Sequence, residues 1–169
     1  MNPVLEEWNA ADAESAMEAM LACCGAQRWA EGMVALRPIA SVFALSETAD
    51  SVWATMGEAD WLEAFACHPR IGERKSTSPS EKSARWSQQE QAGAGSASND
   101  VMRELAEGNA LYEQRFGFTY IVCATGKSAD EMLAILKRRL ASDRMAELRE
   151  AAEQQRQIMQ IRLGKWLVS

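Results

Sequence analysis

Apolar residues recur at three- and four-residue steps along most of this chain, the spacing of one helix face and not the alternation of a strand. Met17, Met20, Leu21 and Cys24 form the first such stripe and predict a helix from about Ala10 to Cys24. Trp29, Met33 and Val34 predict a short helix around Arg28 to Ala35. Pro38 closes it by biasing Arg37 away from the α region. Ser46 is a candidate cap for a third helix that carries Val52, Trp53 and Met56, with Gly57 as punctuation. Asp60 to Cys67 reads as a fourth, with Trp61, Leu62 and Phe65 inward, ended by His68-Pro69.

Residues 69–100 are the least regular stretch, polar and rich in Gly and Ser, with Pro79 inside it. Ser87 and Glu90 have the Ser-x-x-Glu spacing of a capping box and predict a short helix from about Ser87 to Ala92. A long helix follows from about Asp100 to Phe116, with Met102, Leu105, Asn109, Tyr112 and Phe116 on one face. Gly117 stops it. Residues 118–125, FTYIVCAT, are the one β-like run. Without a strand to pair with, that run reads as an extended buried segment. Ser128 and Glu131 form a second capping box, opening a helix with Met132, Leu133, Leu136 and Leu140 inside. The last helix runs from about Asp143 to Trp166, with Leu148, Ala152, Gln155, Met159, Arg162 and Trp166 on one stripe. No internal repeat is visible. The expected fold is all-α: an irregular bundle of about eight helices, one domain over residues 1–169.

Composition narrows the partners. The 169 residues are 47% hydrophobic and 25% charged, enough for a core in one domain. The formal charge of −6 disfavours nucleic acid and anionic membranes, so a small anionic substrate would need local cations at its site. Cys23, Cys24, Cys67 and Cys123 show no metal-ligand spacing and there is one His, so no metal site is expected. The cysteines read as reduced thiols. The N-terminus lacks a basic n-region, no run approaches the roughly 18 apolar residues of a membrane span, and the ending is not a peroxisomal tripeptide. A cytoplasmic location is the expectation.

Candidate chemistry is sparse. His68 can exchange protons near neutral pH, although a single His is more often an ordinary surface or core residue. Its neighbour Cys67 points about 100° away on a helix, so a thiol–imidazole pair is rejected. Ser87 and Glu90 can be a purely structural cap, or a helix N-terminus whose free N–H groups meet an anion. Arg162 lies on an apolar stripe, where it either snorkels at a rim or meets an anion. Asn109 and Tyr112 read as core polar groups, and Arg115, Arg138 and Arg139 as solvated helix faces.

Taken in order, these segments resemble one family. His68-Pro69-Arg70-Ile71-Gly72 resembles the HPxxG signature of 2-oxo-4-hydroxy-4-carboxy-5-ureidoimidazoline (OHCU) decarboxylases. Ser87-Gln88-Gln89-Glu90-Gln91, followed by Ala92-Gly93-Ala94, is similar to their SxxEQxxA segment. Asn109 to Phe118 resembles NxxYxxRFGF, Ile121 to Lys127 the pattern ending in GK, and Ile158 to Leu163 the terminal helix with its RL pair.

The resemblance implies an all-α enzyme of urate breakdown, without metal or organic cofactor and usually a homodimer. Its substrate is a small anionic ureidoimidazoline that loses CO₂ and gains a proton on one face to give (S)-allantoin. The resemblance makes His68 and Glu90 catalytic, His68 as acid/base and Glu90 as its orienting and tuning partner. Ser87, Gln88, Gln89 and Gln91 would contact substrate, and Arg162 would anchor a carbonyl or carboxylate. Pro69 and the backbone of Tyr120, Ile121, Val122, Cys123 and Ala124 would wall the site, the unpaired backbone of that run finding its partners in the ligand. Two rivals stand beside this reading. One is a non-catalytic interaction module docking through Trp8, Trp29, Trp53, Trp61, Trp86 and Trp166; the other is a decarboxylase or hydrolase of another ureido compound.

Overall fold

The computed structural model describes residues 1–72 and 81–169; Pro79 lies outside them. Nine α-helices and one 3₁₀ turn, and no strand, are found among the described residues. The chain forms two compact units, residues 1–64 with 156–169, and residues 65–155.

The first unit holds α1 (Pro3–Ala10), α2 (Ala13–Cys23), α3 (Gln27–Ala35), α4 (Val42–Trp53), nearly all of α5 (Glu58–Phe65) and the C-terminal part of α9 (Arg144–Trp166). Helix α1 is the one beyond the eight expected. Its signal is local: Pro3 sits in the first turn, and the Asn2 side chain accepts from the N–H groups of Val4 and Leu5 at 2.9 and 3.1 Å. Helix α4 starts at Ser41, whose hydroxyl accepts from Ala44 N–H at 3.0 Å. Ser46 is therefore not the cap. It lies in the second turn, where its hydroxyl donates to Gln160 Oε1 at 2.8 Å.

Five of the six tryptophans, Trp8, Trp29, Trp53, Trp86 and Trp166, are buried. Their polar ends are used internally: Trp8 Nε1 donates to Ala16 O at 3.0 Å and Trp29 Nε1 to Ala49 O at 3.1 Å. Trp8 meets Trp166 edge-on at 6.0 Å. These are core residues, so the docking reading loses most of its anchors.

The second unit holds α6 (Glu81–Glu90), the 3₁₀ turn Ala92–Ser96, α7 (Asn99–Phe116), α8 (Ala129–Arg139) and the first part of α9. Helix α7 ends at Gly117 with φ +82°, a left-handed conformation that glycine adopts without a side-chain clash. Residues 119–124 then carry neither helix nor strand. Ser128 caps α8 by accepting from Glu131 N–H at 3.1 Å. Tyr112 packs on Phe116, Phe118 and Tyr120 with ring centroids 4.7, 5.6 and 5.5 Å apart. All six residues of the long stripe on α9 are buried, including Gln155 and Arg162.

Candidate active site

His68 follows α5 in a short turn, its N–H bonded to Phe65 O at 3.2 Å, and Pro69 beside it is buried. The half-buried imidazole is gripped from α9: His68 Nε2 lies 2.8 Å from Gln155 Oε1. The rest of the HPxxG loop is tied down as well. Gly72 N–H donates to Gln91 Oε1 at 2.9 Å, Asn109 Nδ2 to Ile71 O at 3.3 Å, and Arg70 forks onto the Glu113 carboxylate at 2.6 and 2.9 Å. The loop carrying His68 is thus fixed by α7, α9 and Gln91, the residue after α6.

Helix α6 corrects one expectation. Ser87 is not an N-cap, because the helix begins at Glu81 and ends at Glu90. Ser87 O accepts from Gln91 N–H at 3.1 Å as an ordinary helical carbonyl, so no free N–H cluster for an anion exists at Ser87. The Ser-x-x-Glu spacing has a second meaning, two residues on one helix face. Ser83, Ser87 and Glu90 all face inward here, 2, 2 and 7% exposed. Gln88 and Gln89 are exposed and Gln91 is half-buried.

The 120–124 run corrects another. All five residues are buried, and the chain's own side chains supply several of the backbone partners expected from a ligand. Cys123 N–H donates to Gln154 Oε1 at 2.8 Å, Cys123 O accepts from Lys127 Nζ at 2.7 Å, and Ile121 O accepts from Arg139 Nη1. Gln154 and Gln155 thus hold the 120–124 backbone and the His68 ring from consecutive positions of α9.

Arg139 is the third correction: it is not on a solvated face but 3% exposed. Its guanidinium is 2.6 Å from the Glu147 carboxylate, which also accepts from the Tyr112 hydroxyl at 2.5 Å. Burial works against the Arg139 charge, but the Glu147 hydrogen bond and the neighbouring negative charge hold its pKa above the usual range. Burial pushes the Tyr112 hydroxyl well above the ordinary tyrosine range, and the Glu147 hydrogen bond adds to this. Tyr120 is pushed up by burial, opposed by the nearby Arg139 charge. Arg139 completes the 3–4 stripe of Met132 and Leu136, a signal present in the sequence; Glu147, next to Leu148, gave none as clear. Arg139 holds the Ile121 carbonyl and Glu147 the Tyr112 hydroxyl.

Arg162 lies in the first unit, 2% exposed, with Nη1 donating to Ala22 O at 3.2 Å. It is a core arginine and not a snorkelling one. A groove of about 200 Å³ is lined by Arg70, Ile71, Gly72, Met102, Ala106 and Asn109; among the described residues it includes neither His68 nor Glu90. Among the described residues no helix is long and apolar enough to cross a membrane, and no group of His, Cys, Asp and Glu has metal-binding geometry.

Known proteins provide the comparison. The sequence model of the OHCU decarboxylase family matches residues 9–164. The uric acid degradation bifunctional protein TTL of Arabidopsis thaliana is 39% identical over 144 residues, covering 85% of this chain and 44% of that protein. The bifunctional protein PucL of Bacillus subtilis is 30% identical over 135 residues, covering 80% of this chain and 26% of its own. The chain therefore spans less than half the length of these two relatives. The 2-oxo-4-hydroxy-4-carboxy-5-ureidoimidazoline decarboxylase of Haloferax volcanii is 26% identical over 95% of this chain and 94% of its own. A crystal structure of OHCU decarboxylase in the presence of (S)-allantoin superposes with a TM-score of 0.77 at 33% identity, over 94% of this chain and all of that one. With the family pattern running from the second helix turn of the chain's start to its last helix, on a matching fold, this protein belongs to the OHCU decarboxylase family.

Proposed function

We propose that this chain decarboxylates OHCU to (S)-allantoin in urate breakdown. The observation that carries the reading is the chain's single histidine, on the family's HPxxG loop, held at Nε2 by a buried glutamine. The family match crosses both units, which supports reading residues 1–169 as one functional domain.

The chemistry asks little of an external electron sink. The bond between the ring carbon and the carboxylate breaks, CO₂ departs, and its electron pair forms a C=C bond while the adjacent C=N pair moves onto the ring nitrogen, which takes a proton from water. The hydroxyl on the same carbon then gives up its proton as a carbonyl forms, and the neighbouring carbon takes a proton on one face. Both transfers need a group that gives and takes protons near neutral pH, and His68 is that group. Glu90, buried on α6, orients and tunes it; Ser87 and Gln91 hydrogen-bond the ring or the departing carboxylate. Pro69 and Tyr120 to Ala124 form the wall. Arg162 anchors a substrate carbonyl or carboxylate, a role that rests on the family resemblance. A homodimer in the cytoplasm completes the proposal.

The test generates the unstable substrate in place, from urate with urate oxidase and hydroxyisourate hydrolase, and follows allantoin by circular dichroism. Wild-type protein is expected to give rapid, optically active (S)-allantoin. His68→Asn is expected to lower turnover about a hundredfold or more with helical signal intact. Slow racemic product in the presence of folded wild type would remove the proposal and bring a different ureido substrate forward.

A further inference from the structure

We propose that Gln155 is a positioning residue for His68: its side-chain oxygen holds the Nε2–H of the imidazole, so that Nδ1 is the nitrogen through which the reaction's proton passes. The inference rests on the decarboxylase reading above and deepens it.

The contact itself is 2.8 Å, between Gln155 Oε1 and His68 Nε2. A carboxamide oxygen has only lone pairs, so the nitrogen facing it must donate. A neutral imidazole carries one N–H and an imidazolium carries two. An acceptor at Nε2 therefore keeps its hydrogen bond in both charge states, while the proton that comes and goes is the one on Nδ1. The opposite amide orientation would aim an N–H at Nε2. That arrangement suits only a neutral ring and sets two donors against each other whenever His68 is charged. A histidine that cycles between acid and base selects the oxygen-facing arrangement.

A second observation points the same way. Gln155 is 0% exposed, and its Nε2 is buried with no hydrogen-bond partner among the described residues. An unpartnered buried donor is costly. Leu148, Ala152 and Met159 on the same stripe of α9 show that packing alone is met by apolar side chains. The amide is retained for its oxygen. Gln154, one residue earlier, accepts from Cys123 N–H at 2.8 Å, so one turn of α9 registers the imidazole and the 120–124 backbone together. Gln155 acts through His68 and is not assigned a contact with substrate.

The single histidine makes the test direct, since nitrogen NMR of the tag-free protein shows one imidazole without assignment. Above the ring's titration the wild type is expected to be the Nε2–H tautomer. Gln155→Met, similar in length but unable to accept, is expected to lose that preference and to lower kcat about 10- to 100-fold, with KM changed less than about twofold; this is less than the loss expected on removing the imidazole. Gln155→Glu keeps an acceptor oxygen and is expected to keep the Nε2–H tautomer and recover part of kcat. A wild-type ring carrying its proton on Nδ1 would overturn the proposal, and so would a folded Gln155→Met with wild-type kcat and tautomer. If that variant does not fold, the wild-type spectrum decides. Absence of allantoin formation by the wild type would instead overturn the reaction reading, and with it the catalytic meaning of the contact, whatever the tautomer.

Discussion

At the scale of single residues, a buried ion pair, Arg139 with Glu147, supports the 120–124 run. Arg139 bonds Glu147, lies over the rings of Tyr112 and Tyr120, and holds the Ile121 carbonyl. A buried ion pair adds little net stability, but removing one partner strands the other in a low-dielectric site. Glu147→Gln keeps the shape and an acceptor for Tyr112 while leaving the guanidinium without its counter-charge. It is expected to cost about 3–5 kcal/mol in urea unfolding. A loss below about 1 kcal/mol would mean that the guanidinium finds water or another anion, and the cluster would not be the support described here. The residues of this cluster also mark where reading the sequence stopped short. His68, Glu90 and Arg162 stood out because their types are rare in their settings and their motifs belong to a family. Arg139 ends the run Lys137-Arg138-Arg139, where the two charged residues before it mask one that turns inward. Gln154 sat in a polar run in the same way, whereas the helix phase of α9 places Gln155 on the buried stripe.

At the scale of elements, helical periodicity located seven of the nine helices found among the described residues to within a few residues at most boundaries, because burial of one face governs both the pattern and the fold, while the capping-box spacing drew α6 short at its start. Apart from α1, which the apolar pattern does not show, the failures are questions of where a helix starts. Ser46 and Ser87 satisfy the composition of a cap while lying inside helices, and Ser41 does the capping for α4. A Ser near an apolar stripe is compatible with either place, and the backbone before it decides. The close approach after α6 could not be read at all. A Cβ on Gly93 would stand 2.3 Å from the Lys127 carbonyl oxygen and 3.3 Å from Ser128 Cα. Those are backbone atoms of the turn that holds Cys123 O through Lys127 and caps α8 through Ser128. Gly93→Ala must push the 3₁₀ turn away from that backbone. The expected result is a loss of about 1–3 kcal/mol, with a fall in turnover because Gln91, two residues earlier, holds the His68 loop at Gly72. Gly164→Ala is the control. It lies in α9 with nothing within 4 Å of the added carbon, and is expected to be neutral or to gain up to about 1 kcal/mol from helix propensity. Equal effects of the two substitutions on thermal stability would discard the steric account.

At the scale of the whole molecule, the two tyrosines couple stability to alkaline pH. Tyr112 and Tyr120 are the chain's only tyrosines, 0 and 1% exposed, and both have hydroxyl pKa values raised by burial. Below about pH 10 each is neutral in folded and unfolded chains alike, so neither makes stability depend on pH. Above that value the unfolded chain releases two protons that the folded chain retains. Unfolding is then favoured as pH rises, by up to about 1.4 kcal/mol per pH unit for each tyrosine. The effect continues until the raised folded values are reached. Because no tyrosine ionises while the fold persists, tyrosinate absorbance and loss of helical circular dichroism are expected to appear together, as one transition, in an alkaline titration. Tyr112→Phe is expected to make stability fall less steeply with pH above about pH 10, although losing its hydroxyl bond to Glu147 lowers stability at neutral pH. Tyrosinate absorbance that grows near pH 10 with the helical signal intact would show that solvent reaches these hydroxyls in the folded state. The aromatic and ionic support behind Ile121 would then be more open than the packing of Tyr112 on Phe116, Phe118 and Tyr120 requires.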